Sequence, residues 1–157
     1  MSLYSTQRAG SPGYRIGRLF RANQALLARR LRHLPIRWGQ VPLLLEVLAQ
    51  EGRTQGQLSR NVHIDPAATA RALACLEKQG MIERVENPAC RRDKLVYPTG
   101  AAQELLEVLQ PVLREHTDLL SKGFTEEEKG QILDFFDRMI ANVEGALDSE
   151  DARESHS

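Results

Sequence analysis

Residues 54–80 read TQGQLSRNVHIDPAATARALACLEKQG, and two helix starts stand in that stretch. In Thr54-Gln55-Gly56-Gln57 the Thr54 hydroxyl is spaced to accept from the third helical amide while Gln57 reaches back, a capping box. In Asp65-Pro66 a carboxylate stands at the N-cap and proline at the first helical position. Gly80 is the residue type that ends a helix at C′. The spacing predicts a short helix to about Asn61, a turn at Val62-His63-Ile64, and a longer helix over 65–79. Beyond it, Met81–Glu86 and Lys94–Tyr97 are strand-like segments around Asn87-Pro88-Ala89-Cys90-Arg91-Arg92-Asp93, whose turn residues and basic tip predict a hairpin. Two helices, a tight turn and a hairpin, in that order, make a winged helix-turn-helix. The second helix of such a unit lies in the DNA major groove.

Outward from this unit the chain is helical. Upstream, Ile16, Leu19, Phe20, Leu26, Leu27, Leu31 and Leu34 recur at helical spacing until Pro35 ends the run. A further helix runs from near Val41, with Pro42 in its first turn, to about Gln50, and stops near Gly52. Downstream, a helix begins at Thr99, and Pro111 inside it predicts a kink or break. Thr125-Glu126-Glu127-Glu128 repeats the capping-box pattern ahead of a last helix. Leu106, Leu113 and Leu120, and then Ile132, Phe136, Met139 and Val143, form apolar seams. The fold class expected is mainly α with a small β-hairpin wing (α+β). A flexible arm over 1–13, one domain over 14–147 and a disordered tail over 148–157 complete the expected organisation.

Composition narrows the function. Hydrophobic residues are 41% of the 157, enough for one core of ordinary size. The net charge is zero, yet residues 1–45, 46–100 and 101–157 carry +8, +1 and −9. That asymmetry allows a cationic surface on a neutral chain, or a basic first helix packed on acidic last ones. No run of about eighteen apolar residues exists to span a membrane, and the opening residues lack an apolar signal region. A cytoplasmic protein is expected. The four histidines share no metal-ligand spacing with one another or with Cys75 and Cys90. Neither a nucleophile elbow nor a phosphate-binding glycine loop is present. No enzyme, cofactor or metal is expected.

Thr54 to Ser59, Ile64-Asp65, Arg71, Leu76 to Arg84, and Asn87-Pro88 through Arg91-Arg92 to Thr99 resemble the MarR family of bacterial transcription regulators. The resemblance extends from about Ile16 to Val143. It implies a homodimer built from N- and C-terminal helices (about 14–34 and 100–147), with winged-helix lobes (about 38–98) and a cleft that often binds small effectors. In the family, the turn from the first helix into the second borders that cleft; here this region holds His33, Arg37 and Trp38. A lone tryptophan between two helices is more often a packing anchor.

Two departures from the family matter. Its members usually carry Ser and Thr early in the recognition helix, where this chain has Pro66-Ala67-Ala68-Thr69-Ala70-Arg71. At 100° per residue Thr69, Ala72, Leu73 and Leu76 share a core face, while Ala67, Ala70, Arg71, Ala74 and Lys78 lie opposite. Alanine cannot donate a hydrogen bond, although its methyl can contact that of thymine. Secondly, Cys90 replaces the usual wing aspartate before the paired arginines, which would favour its thiolate; Cys75 is expected to be a half-buried core residue. The expected DNA-contacting residues are Gln55, Gln57, Pro66, Ala67, Ala70, Arg71, Arg91 and Arg92. Capping alone accounts equally well for Gln55 and Gln57; for Arg91 and Arg92 the bland alternative is a solvated hairpin tip, which the preceding helix pair outweighs. The function expected is a homodimeric repressor of a pseudo-palindromic operator under effector control. The alternative is a winged-helix protein-interaction module without specific DNA binding.

Overall fold

Side-chain caps open the helices where the sequence placed them. In the computed structural model, which describes residues 10–154, the Thr54 hydroxyl accepts from the Gln57 amide at 3.3 Å while Gln57 Oε1 accepts from the Thr54 amide at 2.9 Å. Asp65 accepts from the Ala68 amide at 2.8 Å. Thr125 and Glu128 form the same reciprocal pair, at 3.2 and 2.8 Å. The order is α1 (Pro12–Arg30), a 3-10 turn (Trp38–Gln40), α2 (Val41–Ala49), β1 (Arg53–Thr54), α3 (Gln55–Asn61), α4 (Pro66–Lys78), β2 (Ile82–Glu86), β3 (Lys94–Pro98), α5 (Gly100–Leu120) and α6 (Glu126–Glu154). Tertiary contacts divide the chain into two compact units, one ending at Gln110 and the other beginning at Pro111.

The first unit holds the winged helix. Its sheet is antiparallel with order β1-β3-β2, pairing Arg84 with Val96 and Arg53 with Val96. The two-residue β1 has no counterpart in the sequence reading. It exists because Gly52 adopts φ +74° and donates its amide to the Val96 carbonyl at 2.8 Å, turning the chain onto β3. A side chain at Gly52 would meet the Tyr97 hydroxyl oxygen at 3.1 Å. Leu44 and Val47 of α2, Leu58 of α3, Leu73 and Leu76 of α4 and Val96 of β3 are buried in the core. Thr69 joins them, as expected of its face.

Several boundaries differ from expectation. α1 starts at Pro12, two residues into the expected arm, because the Ser11 hydroxyl caps it by accepting from Tyr14 at 3.3 Å. Residues 1–9 of that arm lie outside the described residues. α1 also ends four residues early, at Arg30. The chain then tightens into a turn in which the Leu34 amide donates to Leu31, ahead of Pro35. Of the kink or break expected at Pro111, no break occurs: a single helix runs through it.

The second unit departs most. The tail expected to be disordered from 148 is helical to Glu154, with 155–157 outside the described residues. No proline or glycine follows Gly145, and acidic composition alone does not end a helix. The Ser149 hydroxyl donates back to the Gly145 carbonyl at 2.7 Å within it.

Candidate nucleic-acid interface

The turn between α3 and α4 is locked from both sides. The Ser59 hydroxyl donates to the Ile64 carbonyl at 2.6 Å, the Thr69 hydroxyl donates to the same carbonyl at 3.4 Å, and the Ile64 amide donates to Ser59 at 3.1 Å. Asn61 donates to the Glu46 carboxylate at 2.6 Å, tying α3 to α2. The orientation of α4 is therefore set by buried leucines and by hydrogen bonds at its start.

The outer side of α4 is as expected at most positions. Pro66, Ala67, Arg71, Ala74 and Lys78 are exposed, and Ala70 is half-buried. Cys75 is a correction. It is exposed rather than half-buried, because it lies about 120° around the helix from Thr69 and outside the packed face. Cys90 is exposed as well.

The wing is organised without the aspartate that Cys90 replaces. Asn87 Oδ1 accepts from the Ala89 amide at 3.0 Å, and the Asn87 carbonyl accepts from the Cys90 amide at 3.1 Å. The Cys90 carbonyl accepts from Asp93 at 3.0 Å. Successive turns thus present Arg91 and Arg92, both exposed. At the hairpin base, the Thr99 hydroxyl donates to the Gly80 carbonyl at 2.6 Å and its amide to Met81 at 3.0 Å.

Glu77 of α4 and Arg84 of β2 form an ion pair that the residue pattern alone did not reveal. Arg84 Nε donates to Glu77 Oε2 at 2.9 Å, and Nη2 donates to the same oxygen. This hydrogen bonding holds the Glu77 carboxyl below the usual glutamate range and raises the Arg84 guanidinium. The signal for it was Gly80, whose φ of +72° reverses the chain between the two residues. A concavity of about 350 Å³ lies beside the pair, lined by Gln55, Gly56, Arg84, Arg92, Asp93, Lys94 and Val96. It joins the opening of α3 to the wing. Gln55 and Arg92 meet there, Arg91 is outside its lining, and Gln57 spends its carbonyl on the cap.

The three residues assigned to an effector cleft separate. Arg37 and Trp38 line a cleft of about 450 Å³ with Leu31, Arg32, Pro35 and Gln79 among its other walls. His33 is not in the lining; its Nε2 accepts from Arg32 Nε at 2.7 Å. Sequence reasoning missed Gln40 and Gln79. Gln40 is buried, accepts from the Arg37 amide at 2.8 Å and donates to Gln79 Oε1 at 3.1 Å. Gln79 is the C-cap of α4, so one cleft wall belongs to the end of the recognition helix.

A locked helix pair with a wing beside it defines the chain as a winged helix-turn-helix protein. Residues 34–93 match the sequence model of the MarR family. The chain is 27% identical over 129 residues to an uncharacterized HTH-type transcriptional regulator, YybA of Bacillus subtilis, covering 82% of this chain and 86% of that one. Among solved structures it is similar to a putative MarR family transcriptional regulator from Listeria monocytogenes complexed with 26mer DNA, at 27% identity and a TM-score of 0.77, covering 85% of this chain and 89% of that one. It is also similar to a MarR protein from Peptoclostridium difficile, at 25% identity and a TM-score of 0.82, over 87% and 90% of the two chains. By sequence and fold the chain is similar to the MarR family of winged helix-turn-helix regulators. Its fold is that of DNA-binding transcription regulators, which are not enzymes. Among the described residues no helix is long and apolar enough to cross a membrane.

Proposed function

We propose that this chain is a homodimeric repressor that sets α4 of each subunit in the major groove and the 87–93 wing alongside. The observation that carries this reading is that Arg71 on α4 and Arg91 and Arg92 on the wing are all exposed. Arg71 has the fork geometry for a guanine edge, and the wing arginines suit phosphates or a narrow minor groove. Gln55 and Arg92, which line one concavity with Arg84 and Lys94, suit a backbone phosphate. Gln57 acts through the cap. Pro66 and Ala67 begin the helix where base edges are read.

Two subunits would read half-sites about one helical turn apart, or a small multiple of it. Support for self-association comes from the apolar side chains left uncovered on α1 and in the second unit, among them Phe20, Leu133 and Val143. Effector control is supported by the cleft of Arg37, Trp38 and Gln79: a ligand there touches the C-cap of the helix that reads DNA.

The test is a salt titration of the full chain on the duplex upstream of its own gene and on a scrambled duplex. Affinity is expected to fall steeply between low and moderate salt, with the upstream duplex preferred. Absence of binding to either duplex at low salt overturns the reading and favours a protein-interaction module.

A further inference from the structure

We propose that α4 selects its DNA chiefly through thymine methyl groups, with Arg71 as the one side chain that reads a base edge by hydrogen bonding. The proposal rests on the regulator reading above and names the sequence chemistry which that regulator recognises.

Polar side chains on and around α4 are largely committed elsewhere. Thr69, the helix's one hydroxyl, is fully buried and donates to the Ile64 carbonyl. The Asp65 carboxylate caps Ala68, Glu77 is held by Arg84, and Gln79 accepts from Gln40. An acceptor for cytosine and an amide for adenine are thereby both missing from the reading face. Ala67, Ala74, Arg71, Cys75 and Lys78 remain exposed, with Ala70 half-buried. Lys78 stands in the last turn, away from the N-terminal part that meets base edges. The Cys75 thiol is a weak donor.

Geometry then arranges the methyls. Seven residues are nearly two turns, so Ala67 and Ala74 fall within about 20° of each other around the axis and about 10 Å apart along it. That length is about three base-pair steps at ~3.4 Å each. Arg71 lies between them, about 40–60° to one side. An alanine methyl has no hydrogen-bonding capacity, but it packs on the C5-methyl that marks thymine in the major groove. A half-site with two thymines flanking one guanine, within about four base pairs, satisfies all three side chains.

The experiment takes the full chain and duplexes it selects from a random-sequence library at moderate salt. Each thymine is replaced in turn by deoxyuridine, which keeps every hydrogen-bonding group and loses only the methyl. The protein is unchanged, so folding is not in question. Affinity is expected to fall about fourfold, the factor for one buried methyl-sized group, at two thymines on either side of the guanine whose preference Arg71→Ala relaxes. In Ala74→Gly, checked for helicity by circular dichroism, one of those two sensitivities should vanish. Selection of a specific sequence in which deoxyuridine is tolerated within twofold at every position overturns this inference and leaves the regulator reading standing. Failure to select any sequence, with no duplex binding at low salt, overturns both.

Discussion

The two units of this chain bury their apolar residues very differently. Among the described residues every buried apolar side chain lies at or before Leu109; beyond Pro111 the buried residue is His116. α4 contributes Leu73 and Leu76 to a core that α2, α3 and the sheet close around. In α6, by contrast, Leu133 is 63% exposed and Val143 61%. Both regions show apolar side chains at helical spacing in the sequence. The winged helix closes its core on itself, whereas the second unit holds a helix surface that water would leave at about 25 cal/mol per Å² once a partner covered it.

The largest effect that separates the two comes from removing the helix outright. Deleting 124–157 should give aggregated or unfolded protein on gel filtration, since the proposed dimer surface goes with it. A soluble, cooperatively melting monomer from that deletion would break the contrast. Next in size is Leu76→Ala, which empties a fully buried site in the winged helix and should cost about 2–5 kcal/mol in denaturant unfolding. Val143→Ala should leave the monomer's own fold nearly unaffected. It should instead raise the dimer dissociation constant in analytical ultracentrifugation, making the melting temperature depend more steeply on concentration.

Arginine changes sharpen the picture within the winged helix. Arg71→Ala should cost about 1–3 kcal/mol of binding and relax preference at one base position per half-site. Replacing Arg91 and Arg92 together by alanine should weaken all duplexes alike and flatten the salt slope by about one unit per lost phosphate contact. Titrations of each variant on selected and scrambled duplexes separate the two. A double wing variant that binds like wild type at every salt would remove the wing from the DNA.

The smallest effect concerns Glu77 and Arg84. The folded carboxyl is depressed by the Arg84 hydrogen bond, so its contribution is present above the ordinary glutamate value of about 4.3 and is lost as pH falls through the lower folded value. The pair is partly exposed, which limits it to about 0.2–1 kcal/mol after screening. Glu77→Gln should therefore melt slightly earlier than wild type at pH 7 and converge with it as pH falls through the lowered folded value of that carboxyl. Parallel melting curves over that range would show that the bond contributes no stability.

Most of the winged helix was legible because its punctuation is local. Thr54 with Gln57 and Asp65 with Ala68, like Thr125 with Glu128 in the second unit, are bonds between residues three apart, which no distant part of the chain has to complete. The inward face of α4 followed equally from 3.6-residue periodicity, since Thr69, Leu73 and Leu76 are buried as the spacing requires. Cys75 was misread because nearness in sequence to an apolar face does not say how wide that face is. Contacts between distant residues decided the rest. β1 depends on Gly52 meeting Val96, the α4–wing tie on Glu77 reaching Arg84, and the cleft wall on Gln40 holding Gln79 across 39 positions. The sequence by itself determined where the helices of the helix-turn-helix begin, which way α4 faces and which arginines stand outside; tertiary structure alone decided which apolar stripe is covered. Periodicity measures how apolar a face is, and burial depends on whether another surface lies within reach of it.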